Sequence, residues 1–68
     1  MTWDDAEDIA LDLSEKYPEI DPLTVRFTDL HRWVIGLAGF ADDPKASTEG
    51  KLEAIQMAWY DEWRESHA

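Results

Sequence analysis

Sixteen acidic side chains stand against six basic ones in a chain of 68 residues, a formal net charge of −10 at pH 7. So dense a charge repels polyanions and attracts cations and basic protein surfaces, and affinity for phosphate comes largely from Lys and Arg. DNA, RNA and anionic membranes are therefore disfavoured as partners. The chain has no cysteine, which excludes a disulfide, a thiolate metal site and a Cys nucleophile.

Charge does not mean disorder here. Hydrophobic residues make up 44 % of the chain, with four Trp, two Tyr and two Phe, too much apolar area to leave in water. A chain of this length buries only about 60 % of its unfolded surface, so a single small domain over residues 1–68 is expected. No charged-then-apolar leader opens the chain, and no apolar run approaches the roughly 20 residues of a membrane span. These features suit a cytoplasmic protein, and the high charge argues for a monomer in isolation.

Thr2 precedes a periodic segment, with Asp5 three positions later as an acidic partner of capping-box type. From Trp3 to Tyr17 the residues Trp3, Ala6, Ile9, Ala10, Leu13 and Tyr17 fall on one helical face. Asp4, Asp5, Asp8, Asp12 and Glu15 fall on the opposite one, and Pro18 stops the helix. Leu11 is the exception, apolar yet displaced toward the acids. Asp21-Pro22 reads as an N-cap followed by Pro at the first position of a short helical turn. Val25-Arg26-Phe27 is β-prone but makes at most a strand fragment. A second helix, capped by Thr28, is expected over about Asp29 to Leu37, burying Leu30, Trp33, Val34 and Leu37. Gly36 within it costs up to about 1 kcal/mol relative to Ala, which would suit a close backbone contact. Ala41 to Lys45 form a turn or loop. Ser47 is expected to cap a last helix running to about Arg64, with Leu52, Ile55, Ala58, Trp59 and Trp63 as its buried stripe. The fold class is mainly α, with three main helices.

The stretch Asp21-Pro22-Leu23-Thr24-Val25-Arg26-Phe27-Thr28-Asp29-Leu30-His31-Arg32-Trp33 resembles the IscX family, small acidic proteins of bacterial iron–sulfur cluster assembly. Phe40-Ala41-Asp42-Asp43-Pro44 and Leu52-Glu53-Ala54-Ile55-Gln56-Met57-Ala58-Trp59 continue the likeness. So do Thr2-Trp3 with Ile9 and Leu13, and Tyr17-Pro18. The resemblance implies a winged-helix-like fold with at most a vestigial sheet. It also implies an adaptor or regulator that binds the cysteine desulfurase IscS through an acidic face, competes there with a frataxin-like protein and ferredoxin, and binds ferrous iron weakly. Thr48 stands where that family usually has Asn, Gly50 sits early in the last helix, and the tail from Trp63 to Ala68 matches no family pattern.

For partner binding the acids of the first helix are the leading candidates: Asp4, Asp5, Asp8, Asp12 and Glu15. Four of them at successive turns repel one another by a few tenths of a kcal/mol per pair, with no Lys or Arg interleaved. Complementary charge on a partner would mainly speed association and confer salt sensitivity. Ferrous iron takes hard oxygen ligands, which Asp4 with Asp8, or Asp8 with Asp12, could offer one turn apart, or Asp42 and Asp43 with Asp29 or Glu49. Neither set has the spacing of a tight site, so no tightly bound cofactor is expected, only weak and exchangeable Fe²⁺. His31 is expected to pack or hydrogen-bond rather than catalyse, and His67 to be solvated. The residues show no active site, and an enzyme is not expected. Trp63 suits a core edge or an interface equally. With it, Leu11, Ile35, Met57 and Tyr60 are possible apolar anchors on the surface. Besides the adaptor, two alternatives fit the composition: an iron carrier for cluster assembly, and an acidic decoy that mimics DNA.

Overall fold

A computed structural model describes residues 1–67 of the chain. Three helices, α1 (Ala6–Lys16), α2 (Phe27–Ile35) and α3 (Glu49–Ser66), are joined by two single 3₁₀ turns at Pro22–Thr24 and Pro44–Ala46. The class is mainly α, as expected. The described residues contain no strand, so the vestigial sheet is absent from them. Val25 and Arg26 are extended without a pairing partner and lead directly into α2.

The helix starts differ from the sequence reading, each for a local reason. Residues 2–5 form a turn ahead of α1, closed by the Asp5 amide donating to the Thr2 carbonyl at 3.0 Å. Asp5, not Thr2, is the N-cap residue, and its carboxylate accepts from the Thr2 amide at 2.8 Å and the Thr2 hydroxyl at 3.3 Å. One arm of the expected capping box is thus present, but it closes a turn instead of a helix. α2 begins at Phe27 after an extended Arg26, which places Thr28 inside the first turn and leaves Leu37 beyond the helix end. Thr48 caps α3, its hydroxyl accepting from the Lys51 amide at 3.2 Å, so Ser47 lies outside the helix. Gly36 is the C-cap of α2 with an ordinary helical φ of −83°, and a Cβ there would meet only normal contacts. No close approach requires it. Asp21 caps the first 3₁₀ turn as expected, accepting from the Leu23 amide at 3.0 Å. Asp43-Pro44 repeats the device, with Asp43 accepting from the Lys45 amide at 2.9 Å.

One core serves all three helices. Trp3, Ile9, Ala10 and Leu13 meet Leu30, Val34 and Leu37, and Leu52, Ile55 and Trp59 close it from α3. Pro22 and Val25 are buried as well, because α3 packs over the first 3₁₀ turn. The Gln56 side chain donates there to the carbonyls of Pro22 at 3.0 Å and Val25 at 3.4 Å. Tyr17, Trp33 and Trp59 form an aromatic triad, with Tyr17 stacked on Trp33 at 4.5 Å and Trp59 set edge-on to Trp33 at 6.3 Å. Offset and edge-on pairs of this kind add about 0.5–1.5 kcal/mol beyond area burial. α3 is the hub: α1 lies along it, and α2 and the first 3₁₀ turn pack against it.

Candidate protein-interaction surface

At 100° per residue, burying Ile9, Ala10 and Leu13 turns Asp8, Leu11 and Glu15 to the opposite side of α1. The structure exposes Asp4, Asp5, Glu7, Asp8 and Glu15, with Asp12 half-buried at the edge. Asp4, Asp5, Ala6, Glu7 and Asp8 line a shallow hollow at the helix start. Among the described residues these acids have one basic partner, Lys51 of α3, whose Nζ lies 3.4 Å from Asp4 Oδ1. The sequence pattern leaves the face without a base, and tertiary packing supplies that one. Among the described residues Asp8, Asp12 and Glu15 form no ion pair.

A second group of acids sits where the chain before α1 crosses the loop before α3. The Ala41 amide donates to the Met1 carbonyl at 2.8 Å. The Trp3 amide donates to Asp42 Oδ2 at 3.1 Å, and its indole N–H donates to the Asp43 carbonyl at 2.8 Å. The other Asp42 oxygen accepts from the Asp43 amide at 2.7 Å. These two amide bonds, Trp3's first, hold the Asp42 carboxyl below its ordinary pKa, because they stabilise the ionised form. His31 closes the corner. Its ring stacks on Trp3 at 5.1 Å, and its Nε2 donates to the Pro44 carbonyl at 2.7 Å. His31 therefore packs and hydrogen-bonds, as its context suggested.

The residues weighed as iron ligands are dispersed into these roles. Asp4 pairs with Lys51 and Asp29 with Arg32 at 3.0 Å, while Asp42 and Asp43 accept backbone amides. Glu49 stands in the first turn of α3, and Asp8 is exposed on α1. Asp29, Asp42, Asp43 and Glu49 do not assemble into the cluster their types suggested. Among the described residues no three His, Cys, Asp or Glu side chains stand close enough to hold a metal ion.

Two clefts complete the surface. One, of about 260 Å³, runs between α1 and α3 and is lined by Glu7, Ala10, Leu11, Ala58, Asp61 and Glu62. The other is an apolar groove lined by Phe27, Thr28, His31, Glu49 and Leu52. Sequence reasoning missed Glu7, Asp61 and Glu62 as neighbours of the acidic face. Leu11, out of place among acids, was the signal that could have drawn attention to them. Leu11 and Met57 are each 46 % exposed, Ile35 is also exposed, and Tyr60 is half-buried. Trp63 is half-buried, stacked between Tyr60 at 6.1 Å and His67 at 4.5 Å. His67 is exposed, and its Nδ1 reaches the Trp63 carbonyl at 2.8 Å.

None of the described helices is long and apolar enough to cross a membrane. A family model described as iron–sulphur cluster assembly matches residues 1–64. An uncharacterized protein of Pseudomonas aeruginosa is 52 % identical over 62 residues, which cover 91 % of this chain and 94 % of that protein. The match spans α1, α2, the capped turns, the acidic face and α3 as far as Arg64, and the chain belongs to the iron–sulfur cluster assembly family of IscX type.

Proposed function

We propose that this chain is a non-catalytic adaptor or regulator that binds the cysteine desulfurase of its host, in the cytoplasm, through the acidic outer face of α1. Family membership places it in iron–sulfur cluster assembly. The observation that carries the finer reading is the row Asp8, Asp12 and Glu15 on α1, which among the described residues forms no ion pair. Such a face meets a basic patch with fast, salt-sensitive association, and competition with a frataxin-like protein and ferredoxin for that patch follows if they share it. Ferrous iron enters this reading as weakly held cargo, because the carboxylates of the described residues assemble no group of three ligands. The iron-carrier and DNA-decoy alternatives draw no support from a specific contact.

The test is calorimetric titration of the chain into its host's desulfurase at low and at physiological salt. A saturable complex that weakens as salt rises supports the adaptor. No heat of binding at low salt overturns it.

A further inference from the structure

We infer that the cleft between α1 and α3 receives one long basic side chain, arginine or lysine, of the protein partner, with its aliphatic stem on Leu11 and Ala58 and its charged head among Glu7, Asp61 and Glu62. For the identity of that partner the inference rests on the desulfurase reading.

Three observations point to this guest. The floor is apolar, built from Ala10, Leu11 and Ala58. Leu11 leaves 46 % of its surface in water although nothing in the core uses it, and its helical neighbours at i−4, i−3 and i+4 are Glu7, Asp8 and Glu15. The rim carries surplus negative charge: among the described residues Glu7 and Glu62 form no ion pair, and Asp61 is held by Arg64 at 3.1 Å. Lysine and arginine lay their methylene stems along apolar surface and keep the charged head at its edge, which matches floor and rim together. A purely apolar guest would strand the carboxylates, and a bare metal ion would leave the leucine unused. At about 260 Å³ the cleft also falls below the roughly 300–1,000 Å³ of small-molecule sites, a size for one side chain. The surface is thereby more than a charged helix, because α3 supplies half of the cleft. Interfaces commonly concentrate their energy in a few such anchored pockets.

The test compares Leu11→Ala, Glu62→Gln and Leu23→Ala in titrations of the full chain into the desulfurase, each variant first checked for unchanged helicity by circular dichroism. Leu23 is at least as exposed as Leu11 and lines no part of the cleft, so its variant should bind like the unaltered chain. Leu11→Ala should weaken the complex about tenfold with the salt dependence unchanged. Glu62→Gln should weaken it several-fold and flatten the salt dependence. Loss from only one of the two overturns the guest as described, since stem and head must both be bound. Binding unchanged in both, while reversal of Asp8 and Glu15 still weakens the complex, overturns the cleft and leaves the desulfurase reading standing. No complex with the unaltered chain overturns both.

Discussion

The corner where residues 1–5 cross residues 39–46 and the outer face of α1 are both rich in aspartate, yet their carboxylates lead opposite lives. In the corner three of the four have a structural duty: Asp5 closes the turn before α1, Asp42 accepts from Trp3 and Asp43, and Asp43 caps a 3₁₀ turn, while the fourth, Asp4, pairs with Lys51. On the outer face Asp8 and Glu15, with Asp12 at its edge, have no ion-pair partner among the described residues and spend a few tenths of a kcal/mol per pair in mutual repulsion. Acids that stabilise the fold belong to the molecule itself. Acids that strain it slightly are free to meet something else.

Substitutions that separate stability from binding put this contrast to the test, and the largest effect belongs to the corner. Trp3 is 1 % exposed and touches His31 and Phe40 as well as the Asp43 carbonyl. Trp3→Ala should cost about 3–5 kcal/mol, against a total of roughly 3–10 kcal/mol at about 0.05–0.15 kcal/mol per residue. Thermal melting should show a broad or absent transition; a melt close to that of the unaltered chain would mean that the corner is ornamental. On the outer face, Asp8→Lys with Glu15→Lys brings the net charge from −10 to −6, since each reversal adds two. Stability should stay within about 0.5 kcal/mol, while desulfurase affinity at low salt falls tenfold or more. A large loss of Tm there would erase the distinction between the two regions.

Asp42→Asn sharpens the comparison through pH. The Asp42 carboxyl is held below its ordinary pKa by the amides of Trp3 and Asp43. A depressed folded-state pKa contributes stability above the unfolded value, near about 4, and loses it as pH falls through the folded value. Asp42→Asn should therefore melt lower than the unaltered chain at pH 7, with the gap closing as pH drops below about 4. A gap independent of pH would assign the effect to shape and not to charge. The smallest effect expected is a gain. A Cβ on Gly50 meets only the Thr48 hydroxyl, at 4.0 Å, so Gly50→Ala should stabilise by about 0.4–1 kcal/mol and leave binding unchanged. In that background, binding lost by the α1 reversals cannot be ascribed to unfolding.

Much of this architecture is legible in the residues. Apolar spacing in α1 and α3 named Ile9, Ala10, Leu13, Leu52, Ile55 and Trp59, all buried, because an amphipathic stripe has one way to face a core. The Asp21-Pro22 cap was legible for a local reason too, a carboxylate two residues from the amide it accepts. What failed were starts and partners. Trp3 was assigned to α1, but its indole and amide are satisfied by residues about forty positions away, and a turn before the helix is what lets it reach them. Asp42 and Asp43 looked like metal ligands because type and adjacency say nothing about which amides fold back onto them.

The sequence by itself determined that the chain is acidic, mainly helical, built on a small aromatic core and charged along one face of α1. Composition and a 3.6-residue period act within one or two turns, so they survive without knowledge of the fold. Only the tertiary structure decided which acids are consumed by the corner, that Lys51 reaches back to Asp4, and that Asp61 and Glu62 stand across a cleft from Leu11. Each of these joins positions far apart in the chain, and which pairs meet is set by how α1 packs along α3, a choice that no local pattern encodes.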